Sequence, residues 1–233
     1  MPPMLTHLFA LSSYVICADG GANRLHDLCA LPHSPGEESK SAVRHLPDAV
    51  KGDMDSIRPD VRGYYESRGV GIIEDGSVDL NDLEKCLWQV KEVQEGGAGM
   101  FDAVCIYGGW GGRFDQSMSS LSSLFKFMDI FRHTILVDEE TTVTLLKPCE
   151  GDSAHVIRPA ANVEGKLCGL IPVFGPCSDV TTDGLRWNLK GDELCFGRLV
   201  SSSNEYSPGK DVVVRCNNFL AWTTQISLRN GGT

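Results

Sequence analysis

Short apolar runs alternate with segments of helical periodicity along the first part of the chain, and this alternation constrains the fold more than any other feature. Leu83, Leu87 and Val90 illustrate the helical spacing. Parallel strands must be joined by a crossover, usually a helix, so the alternation predicts βαβ units in a doubly wound parallel sheet of the α/β class. The predicted strands are 14–18, 49–51, 71–73, 103–107 and 134–137, and the predicted helices are 22–28, 58–67, 83–93 and 117–128.

The pattern changes after residue 140 to short β-branched runs separated by Gly, Pro, Asn and Asp. Runs of this kind predict an all-β sandwich. We therefore expect two domains, an α/β domain at 1–140 and a β-sandwich at 141–233. A breaker-rich loop at 31–46 and a frayed tail at 229–233 are also expected. The predicted strands of the second domain are 142–146, 167–173, 194–196, 212–215 and 219–226.

Charge and cysteine content exclude several classes of function. The 31 acidic and 21 basic side chains give a net charge of −10, which repels phosphate backbones and argues against a nucleic-acid or anionic-membrane partner. The nine cysteines have no CxxC spacing, so neither a disulfide framework nor a zinc site is indicated. No apolar stretch approaches the roughly 18 residues of a membrane helix, and 5–17 lacks the preceding basic residue of a signal peptide. We expect a soluble, cytoplasmic protein with reduced thiols.

Aspartates follow predicted strands or open predicted helices at three places. They are Asp19, the pair Asp53 and Asp55, and the pair Asp79 and Asp82. Ligands gather at the carboxyl edge of a parallel sheet, and Mg²⁺ is held there by a few carboxylates together with substrate phosphates. Residues two apart in extended backbone point the same way, so Asp53 and Asp55 are expected to face one ion. The pattern predicts metal-assisted phosphoryl chemistry.

Turns and helix caps are the alternative interpretation of these aspartates. Asp before Gly is common in turns, and Asn81 with Glu84 has the spacing of a capping box. Asp82 would then only favour the positive end of the helix dipole. The residue types alone leave both interpretations open.

The glycine-rich segment 107–116 lies between a predicted strand and a predicted helix. Glycines at 111 and 112 allow backbone N–H groups to approach an anion, and the helix N-terminus attracts negative charge. Arg113 would add positive charge, and Asp115 would hold that arginine or a metal. The segment is neither a Walker loop nor GxGxxG, so a simple tight turn is the alternative.

Two segments of the β-rich part, 181–187 and 199–204, are candidate substrate-facing loops. Trp187 or Trp222 would stack on a cationic heteroaromatic ring. The alternative interpretation is that both tryptophans pack in a core or at an interface between subunits.

Several segments, in order, resemble the thiamine pyrophosphokinase family, with the plant enzymes closest. The resemblance extends over 14–227. Its motifs are Ala-Asp-Gly-Gly-Ala-Asn-Arg at 18–24, Gly-Asp-Met-Asp-Ser-Ile at 52–57, Asn-Asp-Leu-Glu-Lys-Cys at 81–86, Gly-Gly-Arg-Phe-Asp at 111–115, Gly-Leu-Ile-Pro-Val at 169–173, Gly-Leu-Arg-Trp-Asn-Leu at 184–189 and Ser-Ser-Asn at 202–204.

This resemblance implies a homodimeric, Mg²⁺-dependent enzyme in which the hydroxyl of thiamine attacks the β-phosphorus of ATP and AMP leaves. It implies that 1–140 binds ATP and 141–233 binds thiamine and dimerises. Asp82 or Asp79 would accept the hydroxyl proton. The implied site residues are Asp53, Asp55 and Asp82 for Mg²⁺ and the reacting phosphates; Asp19, Gly20, Gly21, Lys85, Gly111, Gly112, Arg113 and Asp115 for ATP; and Trp187, Ser203, Asn204 and Trp222 for thiamine.

The chain also departs from the family pattern. Val78 stands where the family usually has Gln, which removes a side chain able to hydrogen-bond a substrate. Relatives begin with an additional strand, so 4–11 is expected either to substitute for it or to mark a shortened variant. Asp183 and Arg198 also replace the usual residues. A rival hypothesis is therefore a catalytically weakened thiamine- or nucleotide-binding paralogue with the same fold.

Overall fold

The computed structural model describes residues 1–30, 45–160 and 162–228. The chain forms two compact units, Met1–Asp102 and Ala103–Thr233. Of the predicted loop at 31–46, residues 31–44 lie outside the described part, as does the predicted tail at 229–233. Within the described ranges, no helix has the length and hydrophobicity that a membrane crossing requires.

A parallel three-stranded sheet in the order β1-β2-β3 organises the first unit. The central strand β2 is buried at every position because a neighbouring strand covers each of its edges. Val50 from this strand packs in one core with Ala22, Val61 and Tyr65. The elements of this unit are α1 (Pro3–Leu11), β1 (Ile16–Ala18), α2 (Asp19–Ala30), β2 (Ala49–Gly52), α3 (Pro59–Glu66), β3 (Gly71–Glu74) and α4 (Asp82–Val93), followed by a π-helical turn (Gln94–Ala98).

The amino-terminal segment is a helix. Pro3 occupies the first helical position, where its missing N–H has no partner to lose. Met4 and Leu5 are the buried residues of this helix. Of the two alternatives given for 4–11, substitution for a strand is therefore wrong.

The capping interpretation of Asn81 is confirmed, and α4 begins one residue before the predicted start at 83. The Asn81 side chain accepts a hydrogen bond of 2.9 Å from the backbone N–H of Glu84, which is the N-cap geometry. Asp82 is thus the first residue of α4. The cap accounts for Asn81 and places Asp82 at the first position of the helix.

Two sheets form the second unit. One has six strands in the order β11-β8-β13-β6-β5-β4, antiparallel except for the parallel pair β4 and β5, and the other has four antiparallel strands in the order β10-β9-β12-β7. Leu170 and Trp222 from the first sheet and Val180 and Val214 from the second share one core, as in a sandwich. The elements are β4 (Val104–Tyr107), α5 (Phe114–Phe127), β5 (Thr134–Val137), β6 (Thr141–Leu146), β7 (His155–Ile157), β8 (Glu164–Ile171), β9 (Cys177–Asp183), β10 (Lys190–Leu194), β11 (Ser201–Glu205), β12 (Val212–Cys216) and β13 (Leu220–Ile226).

The architecture is α/β with a parallel sheet and separate sheets of mostly antiparallel strands. The two segments expected to be loops are in part strands. Residues 181–183 end β9, and 201–204 lie in β11, at the edge of the six-stranded sheet. Polar residues such as Thr181 and Ser202 are exposed on these strands, so the hydrophobic pattern that marks a strand is weak there.

Candidate active site

Three carboxylates of the first unit converge at the carboxyl edge of the parallel sheet. Asp19 directly follows β1, Asp53 directly follows β2, and Asp82 opens α4 after the connection from β3. One carboxylate oxygen from each residue lies within 4.8 Å of the others. The carboxyl edge is where α/β sheets bind ligands, because the connecting loops of neighbouring strands diverge there.

Asp19 is held rigidly in this group. Its side chain is 0% exposed, and its two oxygens accept hydrogen bonds from the backbone N–H groups of Ser56 (2.9 Å) and Ile57 (2.7 Å). Burial raises the pKa of Asp19 above its ordinary value, the two N–H donors act in the lowering direction, and the charges of Asp82 and Asp53 raise it further. A nearby cation would offset this uncompensated negative charge.

The loop after β2 carries backbone strain beside the carboxylates. Met54 has φ of 64°, a left-handed conformation that is costly for a residue with a side chain. The N–H of Asp55 donates to Asp53 Oδ1 at 3.2 Å and lowers the pKa of Asp53. The extended backbone expected between Asp53 and Asp55 is therefore absent.

Gly52 provides the space in which Asp19 and Asp82 approach each other. A Cβ atom at this position would lie 2.6 Å from Asp19 Cβ, 3.1 Å from Asp82 Oδ1 and 3.2 Å from Asp82 Cγ. Any side chain at position 52 would push these two residues apart. The glycine is required by close packing, since its φ is not among the positive values.

Lys85 supplies a positive charge within this group. Its side chain is 2% exposed, and its Nζ lies 3.1 Å from Asp82 Oδ1, three residues earlier on α4. Burial lowers the pKa of Lys85, but the hydrogen bond to Asp82 and the charges of Asp82, Asp53 and Asp75 raise it above its ordinary value overall. Lys85 therefore stays protonated and orients Asp82.

The three carboxylates fit a hard divalent cation such as Mg²⁺. They offer only oxygen donors, which Mg²⁺ prefers. Three negative side chains face one ammonium group, Lys85, so the set has an excess of negative charge that a cation would balance. Because Gly52 has no side chain, Asp19 and Asp82 can approach each other. The hydrogen bond from Ser56 N–H fixes the orientation of Asp19.

The glycine-rich segment of the second unit turns from β4 into α5. Gly108, Gly111 and Gly112 have φ of 74°, 82° and 68°, values that favour glycine. Arg113 precedes the first turn of α5 and makes a two-pronged ion pair with Asp115, with Nε–Oδ1 of 3.1 Å. Both side chains are exposed, so the arginine is accessible to an anionic ligand.

The side-chain amide of Asn204 is hydrogen-bonded to the backbone of Trp187. Asn204 is buried, accepts a bond from the N–H of Trp187 at 3.2 Å and donates to its carbonyl at 2.8 Å. Ser203 is exposed and has φ of 57° at an irregularity of β11. The Trp187 ring is 53% exposed, with the Arg186 guanidinium 4.5 Å from its centroid.

Trp222, unlike Trp187, is buried. It is 3% exposed on β13, within the core of the second unit, 6.1 Å between ring centroids from Tyr206. Core packing therefore accounts for Trp222, and its ring is not presented to a ligand on the surface of this chain. Of the two tryptophans, only Trp187 has an exposed ring.

Comparison with known families accounts for both units. Residues 5–136 match the family model described as thiamin pyrophosphokinase, catalytic domain, and 154–220 match the one described as thiamin pyrophosphokinase, vitamin B1 binding domain. The chain belongs to the thiamine pyrophosphokinase family. The predicted resemblance is confirmed.

Relatives and solved structures of the family agree with this assignment. The chain is 37% identical to thiamine pyrophosphokinase 1 of Oryza sativa subsp. japonica over 92% of its length and 79% of the relative. It is 35% identical to thiamine pyrophosphokinase 1 of Arabidopsis thaliana over 91% of its length and 77% of the relative. The yeast thiamin pyrophosphokinase structure superimposes with a TM-score of 0.81 at 21% identity, covering 98% of this chain and 83% of that one. The Bacillus subtilis structure gives 0.72 at 20%, covering 94% and 91%. At such identities the structures show a shared fold.

The residues that the family resemblance implies are distributed over both units. Asp19, Asp53 and Asp82 come together with Lys85, whereas Asp55 is not one of the three clustered carboxylates and instead accepts a 2.7 Å bond from Ser56 Oγ. Gly20 and Gly21 lie in the first turn of α2. Asp79 and Val78 are exposed before α4, Val78 at 94%. Gly111, Gly112, Arg113 and Asp115 form the turn into α5.

Sequence reasoning missed two contributors to the carboxylate group. Gly52 lies within the 52–57 motif, and only the distances around it reveal its role. The side chain of Asn23 donates to Ser56 O at 2.8 Å and accepts from Arg58 N at 3.0 Å. Asn23 therefore anchors the loop whose N–H groups bind Asp19. Its position within the 18–24 motif was the available signal.

Proposed function

We propose that this chain transfers the pyrophosphoryl group of ATP to the hydroxyl of thiamine with Mg²⁺ held at Asp19, Asp53 and Asp82. Membership of a family whose named members are thiamine pyrophosphokinases supports the reaction. The convergence of three carboxylate oxygens within 4.8 Å supports the position of the metal. This convergence is the single observation that carries the proposal beyond the family name.

The carboxylate group has mainly a positioning role. Mg²⁺ bound there would neutralise negative charge on the phosphates that it contacts. The rigid attachment of Asp19 to the loop after β2 fixes one donor, and Lys85 fixes Asp82. In phosphoryl transfer the protein contributes chiefly orientation and charge. Asp82 or Asp79 accepts the proton of the thiamine hydroxyl as that oxygen bonds to the β-phosphorus and the bond to AMP breaks.

The second unit provides further contacts in this proposal. Arg113 binds ATP phosphates after leaving Asp115, while the backbone N–H groups at Gly111 and Gly112 approach the same anion. Trp187 stacks on the cationic ring of thiamine, and Asn204 holds the backbone of Trp187. Ser203 is exposed and precedes Asn204 on β11.

Several broader features stay predictions. The resemblance implies a homodimer, with ATP binding at 1–140 and thiamine binding and dimerisation at 141–233. The cytoplasmic location, the doubly wound sheet and the division at residue 140 are predictions from composition and sequence pattern. Parallel pairing in β1–β3 supports the parallel character of the predicted sheet, whereas β4 and β5 pair in a separate sheet. No observation favours the catalytically weakened paralogue.

Purified chain with ATP, thiamine and Mg²⁺ is expected to form AMP and thiamine diphosphate in equal amounts. Chelation by excess EDTA should reduce both products to background, and added Mg²⁺ should restore them, because the carboxylates alone leave the phosphate charge uncompensated. Chromatographic quantification of both products provides the measurement. Folded protein that binds thiamine but forms no product with Mg²⁺ would support the paralogue instead.

Arg113→Ala is expected to raise the KM for ATP about tenfold or more, since a charged hydrogen bond contributes at least this much to binding. Thermal stability should not change, because the Arg113–Asp115 pair is exposed. Arg158→Ala is the matched control, since Arg158 also forms an exposed pair, with Asp211 at 3.3 Å. Steady-state kinetics with ATP varied test the role; equal KM values in both variants would contradict it.

A further inference from the structure

Two cysteines and a histidine converge in the second unit, and none of the three is assigned a role above. Cys149 follows β6, His155 opens β7 and Cys216 ends β12. One ligand atom of each, two sulfurs and a ring nitrogen, lies within 4.8 Å of the other two. The three come from separate segments, so their proximity is created by the fold.

The strand register explains why His155 and Cys216 share a face. His155 pairs with Val214 across antiparallel β7 and β12, and Cys216 is two residues further along β12. Residues two apart on a strand point to the same side, and diagonal neighbours on adjacent strands are within reach. Cys149 is positioned by its backbone N–H, which donates to the carbonyl of Cys216 at 2.8 Å.

A backbone oxygen also faces this cluster. The carbonyl of Lys147 lies 2.8 Å from His155 Nε2 and 3.4 Å from Cys216 Sγ. His155 and Cys216 therefore contact the same backbone oxygen. Cys216 is buried, whereas Cys149 and His155 are half-buried, so an ion can enter from solvent.

We propose that Cys149, His155 and Cys216 bind one Zn²⁺-class cation, with an oxygen ligand from water or the Lys147 carbonyl in the fourth position. Two thiolates and an imidazole are the donors that Zn²⁺ selects, and they are poor ligands for Mg²⁺. On binding, each thiol transfers its proton to solvent as its sulfur bonds to the metal, and His155 binds as the neutral ring.

The bound ion would cross-link the connection between β6 and β7 to the end of β12. Cys149 lies in the connection that follows β6, whereas His155 and Cys216 lie on β7 and β12, which are neighbours in the four-stranded sheet. The ion would therefore tie this connection to the four-stranded sheet. The role is structural. It is independent of the carboxylate group at Asp19, Asp53 and Asp82, whose oxygen donors suit a different ion.

Co²⁺ titration of reduced, EDTA-treated, desalted chain under anaerobic conditions tests the site. We expect one equivalent of Co²⁺ to produce thiolate-to-cobalt charge-transfer absorption and intense visible bands of a tetrahedral ion, both removed by one equivalent of Zn²⁺. Changes outside the ligand set already weaken metal sites about 10–100-fold, so Cys149→Ser and His155→Gln should each weaken binding at least tenfold.

Two control variants make the test specific. Cys105→Ser removes an exposed cysteine on β4, and Asp53→Asn removes a member of the carboxylate group; both should retain the full cobalt spectrum. Circular dichroism establishes that each variant is folded. Absence of charge-transfer bands in the folded native chain, or bands that persist in Cys149→Ser and His155→Gln, would overturn the proposal.

Discussion

Asp53→Asn is expected to lower kcat/KM for pyrophosphoryl transfer by about 10²–10³-fold while leaving the protein folded. The amide keeps the size of the side chain but removes one of three negative charges and binds Mg²⁺ poorly. Loss of one preorganised charge-stabilising group typically has an effect of this size. Asp53 is exposed, so its replacement should leave the core intact. Coupled measurement of AMP and thiamine diphosphate formation at several Mg²⁺ concentrations gives the effect.

Asp55→Asn distinguishes the three-dimensional cluster from the set predicted from sequence. Its carboxylate is not one of the three that converge, so its replacement should be milder than that of Asp53. Asp60→Asn, an exposed aspartate in the first turn of α3, should have no effect. Equal losses in Asp53→Asn and Asp55→Asn would favour the sequence-predicted set of Asp53, Asp55 and Asp82, and full activity in Asp53→Asn would refute a role for this residue.

Strands with strong hydrophobic patterns were predictable, and polar edge strands were not. The predicted strand 134–137 coincides with β5, and 49–51 lies within β2, both largely buried. In contrast, β10 has four exposed residues of five and β11 consists of Ser-Ser-Ser-Asn-Glu. Such strands form because the neighbouring strand offers backbone partners, a tertiary effect that no local pattern records.

The helix at the amino terminus illustrates a second limit. Its sequence, Pro-Met-Leu-Thr-His-Leu-Phe-Ala-Leu, is apolar enough to suit either a strand or a helix. Short apolar segments are ambiguous between the two because burial, rather than periodicity, determines their state. Proline at the first position was the local signal for a helix.

The sequence predicted where the carboxylate site lies but not which aspartates form it. Placement of Asp19, Asp53 and Asp82 after strands correctly indicated one sheet edge. The assumption of extended backbone between Asp53 and Asp55 failed because Met54 is left-handed. This conformation changes the direction of the Asp55 side chain. The residue type at position 54 does not predict it, since non-glycine residues seldom adopt positive φ.

The positions of Cys149, His155 and Cys216 in the sequence did not predict that the three residues lie together. Zinc motifs are recognised when two ligands have about two to four residues between them, whereas Cys149 and Cys216 are brought together by the pairing of distant segments. The absence of CxxC therefore excluded a local motif only. The antiparallel pairing of β7 with β12 brings His155 and Cys216 together, and the linear sequence does not reveal this pairing.

Gly52→Ala is expected to impair both stability and activity, although it adds a single methyl group. The new Cβ would lie 2.6 Å from Asp19 Cβ and 3.1 Å from Asp82 Oδ1, distances that force one of these residues to move. Overpacking of this kind destabilises folded proteins by about 1–3 kcal/mol. Displacement of a catalytic group by about 1 Å can lower the rate about 10²-fold, so kcat should fall further than the stability loss alone would explain.

Gly63→Ala is the matched control, because Gly63 lies inside α3 and a Cβ there would meet no atom within 4 Å. Alanine is favoured over glycine in helices by about 0.5–1 kcal/mol, so this variant should be slightly more stable than the native chain and fully active. Urea unfolding and product formation are measured for both variants. If Gly52→Ala matched Gly63→Ala in both, Asp19 and Asp82 would not depend on the close approach at position 52, and the carboxylate group would tolerate rearrangement. A loss of activity with unchanged stability would instead show that the methyl group is accommodated by movement of the carboxylates alone.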